Sequence, residues 1–346
     1  MFDFNSKGNK TSGNNNNNNI NDMLSFLGGS SLGGTQKKKF TFNFDDNSSS
    51  KNQTSNASSS SFQNSNKNYI FKSFSYHEDK NLKYRQSMED IGVTLPDFIP
   101  DKNLSLFGIF DGHGGNDVVK YIKDRLPEII KTNILNNNSY DNSYETKISL
   151  AFNKIDEELK FYDSEHTGST ATILLLNEDK IYCANVGDSS AFIIYDNYLK
   201  KINVDHKCTD PKEEERILKS GGKITKNRVM GQLVLSRCLG DLYCKKYGVS
   251  NIPDISINKL ERNIKYIVVA SDGVWDVVGE NDLMNLSKNR KNADGFCKDL
   301  VKLAIDKDSK DNVSCIVISF DAWLKLELIF IYYIKNFLIL NVDFIF

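Results

Sequence analysis

The sequence predicts an α+β fold in which packed sheets carry helices on their outer faces. Two observations point there. From Tyr69 onward, apolar strand-like runs alternate with helix-like stretches. Acids also recur beside those runs, at Glu89-Asp90, Asp111, Asp205, Asp272 and Asp311, which places carboxylates at strand ends or in the adjoining loops.

Taken in chain order, residues 1–66 are dominated by Asn, Ser, Gly and Lys, with Asn14 to Asn19 unbroken. Their apolar content is too low to offset the entropy of ordering, so a disordered arm is expected. Strands are predicted at Leu104 to Asp111, Ser169 to Leu176, Lys180 to Val186, Ala191 to Tyr195, Tyr266 to Ser271 and Asn312 to Phe320. Helices are predicted at Asp117 to Lys131, Tyr144 to Tyr162, Pro211 to Ser220, Glu280 to Leu286 and Ala293 to Ile305. The helix at Pro211 is the best signalled. Asp210 can cap it, Pro211 suits its first turn, the following glutamates complement its positive end, and Gly221-Gly222 stops it.

A catalytic domain is therefore expected over residues 67–320, followed by a tail at 321–346. The tail's apolar residues approach the roughly 20 that span a bilayer. Lys335, Asn336, Asn341 and Asp343 interrupt them, and no stable membrane anchorage is expected. A tail anchor is the competing reading.

Composition narrows the partners. Lys and Arg total 44 against 45 Asp and Glu, a formal net charge of −1, and Lys37-Lys38-Lys39 is the only compact basic run. No nucleic-acid partner is expected. The six cysteines form no CxxC pair and several sit in strand-like runs, as reduced core thiols of a cytoplasmic or nuclear protein would. No secretory signal peptide is expected at the first residues. The chain is expected to act as a monomer.

The chemistry lies in Asp111-Gly112-His113-Gly114-Gly115, which follows the apolar run Leu106 to Phe110, together with Asp272-Gly273-Val274-Trp275-Asp276 and Asp311-Asn312. Acids without His or Cys partners at ligand spacing favour a hard cation, Mg2+ or Mn2+, over zinc. Gly112 and Gly273 read as tight turns in which a backbone carbonyl also faces the ion.

The ordered set resembles the metal-dependent protein serine/threonine phosphatases, the PPM or type 2C family, from about Phe71 to Phe320. Its motifs stand here as Arg85-Gln86-Ser87-Met88-Glu89-Asp90, Phe107 to Gly115, Thr167-Gly168-Ser169-Thr170-Ala171 and Ala184-Asn185-Val186-Gly187-Asp188-Ser189. Further on come Asp205-His206-Lys207, Glu213 to Ile217 with Gly221-Gly222, Leu235 to Asp241, Ala270 to Asp276 and Asp311-Asn312-Val313-Ser314.

The resemblance implies a β-sandwich of two antiparallel sheets flanked by α-helices, with two metal ions at one end. It also implies hydrolysis of phosphoserine and phosphothreonine in phosphorylated protein substrates by a water bridging those ions. Position by position, Asp111 bridges the ions, the Gly112 carbonyl and Glu89 serve one of them, and Asp272 and Asp311 serve the other. Asp205 and Asp276 match acids that hold a weaker third ion in some members. Arg85 matches the phosphate-binding arginine, Asp90 orients water, and His113 is the general acid. The competing readings are a catalytically silent interaction module on the same fold and a small-molecule phosphatase. Cys208, Cys238, Ser190 and Met230 depart from the usual pattern, but no acid is lost.

Overall fold

The computed structural model describes residues 59–63, 69–136, 141–290 and 292–320. Apart from Ser59–Gln63, the arm expected over 1–66 lies outside the described residues, as does the tail expected over 321–346.

Strands β1 (Ser59–Gln63), β2 (Ser73–Asp79), β3 (Asp90–Ile99) and β4 (Leu104–His113) are followed by helices α1 (Asn116–Leu135) and α2 (Tyr144–Leu159). Next come β5 (Gly168–Ser169), β6 (Ala171–Leu176), β7 (Lys180–Val186), β8 (Ser190–Ile194) and β9 (Leu199–Lys201). An excursion then holds α3 (Pro211–Lys219), β10 (Ile224–Thr225), β11 (Arg228–Val229), β12 (Leu239–Gly240) and α4 (Leu242–Lys245). The chain returns through β13 (Asp254–Lys259), β14 (Tyr266–Ala270), α5 (Asp272–Trp275), α6 (Glu280–Asn289), α7 (Ala293–Asp306) and β15 (Val313–Ser319).

Two large antiparallel sheets result, one ordered β1-β2-β15-β14-β8-β9 and the other β12-β5-β4-β6-β7-β13, with β3 also paired to β4, and β10 pairs with β11 as a separate two-stranded sheet. Strand β1 pairs with β2 from within the stretch expected to be a disordered arm.

Strand β4 shows why its sequence is apolar without alternation. Phe107 and Ile109 enter the core between the sheets with Phe74, Leu174, Ile193, Ile267 and Ile316. Leu106 and Phe110 enter the opposite core, beneath α1 and α2, with Ile122, Leu126 and Phe152. Successive side chains point to opposite faces and both faces are covered, so apolar residues stand at odd and even positions alike. Helices α6 and α7 cover the outer face of the other sheet through Leu283, Phe296 and Leu300. The α+β sandwich expected from the sequence is the fold observed.

The excursion between β9 and β13 has a small core of its own around Cys208, Ile217, Val229, Leu235, Cys238, Cys244 and Val249. Helix α3 starts as expected, the Asp210 carboxylate accepting the Lys212 and Glu213 amides. Met230 stands in the left-handed region at φ 51, a conformation that costs a non-glycine side chain about 1–2 kcal/mol and that asparagine tolerates better. All six cysteines are buried and unpaired. Among the described residues, no helix is long and apolar enough to cross a membrane.

Candidate metal centre

Four strand ends meet at one end of the sandwich. Asp90 opens β3 directly opposite Asp111 near the end of β4, and the Gly112 amide donates to the Glu89 carbonyl (3.1 Å). Strand β14 ends beside the start of β15, where the Ser271 amide donates to the Ser314 carbonyl (3.1 Å), so Asp272 and Asp311 arrive together. Two buried asparagines fix the loop that carries Arg85 and Glu89. The Asn312 amide group donates to the carbonyls of Lys80 (2.8 Å) and Ser87 (3.0 Å) and accepts the Glu89 N–H (2.9 Å). Asn81 donates to the carbonyls of Ser309 (2.6 Å) and Asp311 (3.0 Å).

The two glycines are not in turns. Gly112 lies within β4 and Gly273 within α5, and neither needs a positive φ. They are required by close approach. A Cβ on Gly112 would fall 2.8 Å from the Glu89 carbonyl oxygen and 2.9 Å from Val119, and one on Gly273 would fall onto the Asn312 carbonyl.

The electrostatics of this end are those of too many carboxylates in too little water. Burial raises the Asp111 carboxyl well above its usual range, and Asp90, Asp272, Asp188 and Asp311 raise it further. Burial likewise lifts Asp272 to about 8, helped by Asp188, Asp311, Asp276 and Asp90. Asp90 rises to about 6 by burial, although the hydroxyls of Ser271 (2.6 Å) and Ser314 (2.8 Å) donate to it. Asp188 is raised by burial against the opposing pull of Lys207, whose ammonium is 3.4 Å away. One oxygen of Asp272 is buried without any hydrogen-bond partner.

A buried carboxylate oxygen with no donor, inside a group of acids that resist one another's ionisation, fits a hard divalent cation as the compensating charge. The donors are all oxygen. Among the described residues, no three His, Cys, Asp or Glu side chains are drawn together as a finished ligand set. The Arg85 guanidinium holds the Asp311 carboxylate.

The expected residues divide as follows. Asp111, Gly112, Glu89, Asp272, Asp276 and Asp311 gather at this end. The Asp205 carboxylate accepts from the Ser190 hydroxyl (2.8 Å) and the Lys201 ammonium (2.7 Å). Asp205 acts on Asp188, while Asp188 is the acid that acts on Asp111 and Asp272. Asp188 carries the same signal as the others, an acid two residues past the apolar strand that ends at Val186. Asp90 lies under Asp111, held by two serines.

His113 Nε2 is 2.7 Å from Asp241, a residue left without a role by sequence reasoning. Burial opposes charge on the imidazole, but the Asp241 contact, with Glu89 and Asp188, outweighs it and raises the pKa. Cys238, one of the departures from the family pattern, donates to the same Asp241 oxygen (3.1 Å).

Fold and site together define a two-sheet sandwich with a buried carboxylate centre at one end. The sequence profile of the family described as Protein phosphatase 2C matches residues 74–313, and the chain belongs to that family. Probable protein phosphatase 2C 71 of Arabidopsis thaliana is 34% identical over 253 residues, covering 71% of this chain and 56% of the relative. Probable protein phosphatase 2C 52 of Oryza sativa subsp. japonica is 36% identical over 244 residues, covering 68% and 48%. The chain thus spans about half the length of these curated relatives. The serine-threonine phosphatase 2C of Toxoplasma gondii shares the fold with a TM-score of 0.64 at 19% identity, over 76% of this chain and 99% of that one.

Proposed function

We propose that the protein hydrolyses phosphoserine and phosphothreonine in phosphorylated proteins with the help of two Mg2+ or Mn2+ ions. The observation that supports this reading best is the buried cluster of Asp90, Asp111, Asp188 and Asp272 with its donorless oxygen. Divalent ions at such a centre supply Lewis acidity and a nucleophile from water at neutral pH. Asp111 would serve both ions, Glu89 and the Gly112 carbonyl one of them, and Asp272 and Asp311 the other. Asp276 with Asp188, in place of Asp205, would hold a weaker third.

Phosphomonoesters hydrolyse extremely slowly unaided, and the chain's other groups address the remaining barrier. The Arg85 guanidinium, half-exposed beside Asp311, can offer paired hydrogen bonds to the nonbridging phosphate oxygens. With Nε2 engaged by Asp241, His113 keeps Nδ1 to protonate the departing serine or threonine oxygen. His113→Gln is therefore expected to slow phosphopeptide turnover far more than turnover of aryl phosphates, whose leaving groups need no proton. Steady-state rates on both substrates check this, and equal losses would assign His113 to positioning alone.

The substrate class is tested by turnover on phosphothreonine and phosphoserine peptides beside a panel of phosphorylated metabolites. The reading predicts hydrolysis of the peptides. Turnover confined to metabolites would assign a small-molecule phosphatase, and none at all a silent interaction module. The same reading takes residues 67–320, extended by the edge strand β1, as the catalytic unit. It is a monomer of the cytoplasm or nucleus, where its six buried thiols stay reduced.

A further inference from the structure

Beside Arg85, the surface carries a cationic platform that phosphate hydrolysis itself does not use. The ammonium of Lys83 lies 4.7 Å and that of Lys310 4.0 Å from the centre of the Tyr84 ring. Both ammoniums and the Tyr84 hydroxyl converge on the Asp308 carboxylate, Lys83 at 2.8 Å. Two cations share one anion, which leaves a positive charge over, and the two lysine side chains are 69% and 62% exposed.

The platform is held in place. Tyr84 and Arg85 both donate their backbone N–H to the Asn81 carbonyl (2.8 and 3.0 Å). Asn81 is itself buried and bonded to the carbonyls of Ser309 and Asp311, on either side of Lys310. Arg85 also donates to the Lys310 carbonyl (3.2 Å). Lys83 and Lys310 therefore stand within a residue or two of Arg85 and Asp311 along two loops stitched to each other.

We propose that Lys83, Tyr84 and Lys310 form a subsite for a second anionic group of the substrate, a carboxylate or a second phosphate flanking the residue being dephosphorylated. This rests on the phosphopeptide reading above. An extended peptide advances at most about 3.3–3.6 Å per residue. A phosphorylated side chain engaged by Arg85 thus sets a neighbour one to three residues away over the Tyr84 ring. There the surplus charge of the two ammoniums held against the ring attracts an anion. The effect is moderate, because the ammoniums are exposed and screened by salt.

The test measures kcat/KM of the full chain, with Mn2+ present, on phosphothreonine peptides carrying Ala, Lys, Glu or phosphoserine at each of the three positions on either side. Glu and phosphoserine are expected to exceed Ala by about 3- to 10-fold at one or more positions, mainly through KM, and the gain shrinks as salt is raised. The two anions separate a carboxylate site from a second-phosphate site.

The double variant Lys83→Ala/Lys310→Ala is expected to lose the preference while hydrolysing the all-Ala peptide and p-nitrophenyl phosphate within about two-fold of the parent rate. Lys83→Glu is expected to turn the preference toward Lys. A parent enzyme indifferent to flanking charge, or a double variant that keeps the preference, would overturn the subsite. Loss of turnover on every peptide by the parent, with p-nitrophenyl phosphate still hydrolysed, would overturn the phosphopeptide reading and the subsite with it.

Discussion

Asp111→Asn is expected to lower phosphopeptide turnover by at least about 100-fold, the scale of several kcal/mol of lost charge stabilisation at a two-ion centre. The carboxylate sits where burial and four neighbouring acids already oppose its charge, so its ionised form is worth keeping only if cations answer it. Replacing it with a neutral amide removes the group that serves both ions and leaves the others less well held. The fold itself should survive. Removing one charge from an overcrowded acidic cluster relieves repulsion, and the melting temperature in chelator is expected to stay level or rise. Rates on a phosphothreonine peptide and a thermal melt check the two halves together. A folded variant with near-parent turnover would show that Asp111 does not hold the ions.

Glu213→Ala is expected to destabilise the excursion between β9 and β13 by about 1–3 kcal/mol, because it takes the shared carboxylate from Arg216 and Arg237, both partly buried. The Glu213 carboxylate accepts from Arg216 (2.6 Å) and Arg237 (2.8 Å), and Arg237 continues to Asp254 (2.7 Å). Asp254 in turn meets His206, whose other ring nitrogen accepts the Gly187 amide just before Asp188 (3.2 Å). The loss thus begins in the small core of the excursion and reaches the acidic centre. Burial alone would raise the Glu213 pKa, but Arg237, Arg216 and Ser236 overcome it and bring it from 4.5 to about 2. A depressed folded value means that this stabilisation is complete above about pH 4.5 and is lost as pH falls through about 2. Denaturant melts of parent and variant at neutral pH and at pH 3 measure it, the gap between them narrowing at the lower pH.

Long apolar strands such as β4 and β6, and the capped helix α3, announce themselves because their pattern is set locally. Strand β2 does not. Its Phe74 and Tyr76 face the intersheet core, but Ser75 and His77 are buried against α7, where His77 meets Asp294 at 2.9 Å, so polar residues occupy an inside face. Strand β3 is interrupted by Gly92 and Pro96 and by an irregular register between Leu95 and Ile99. Helix α5 is a single turn opening on Asp-Gly, a pair that ordinarily marks a turn.

The acids of the centre were readable because each adjoins a strand end. What they meet was not, since the influence of Asp188 on Asp272, or the bond between Asp241 and His113, depends on which strands pair. The partners of Asp205 were hidden for the same reason. Its position beside His206 gave no sign that Ser190 and Lys201 would claim it.

Phosphate release from a phosphothreonine peptide by protein stripped with EDTA, followed as Mg2+ or Mn2+ is restored, tests the central claim most directly. No turnover in excess chelator, recovery on adding either ion, and no recovery in Asp111→Asn are the results predicted. Full turnover in excess EDTA would contradict the claim.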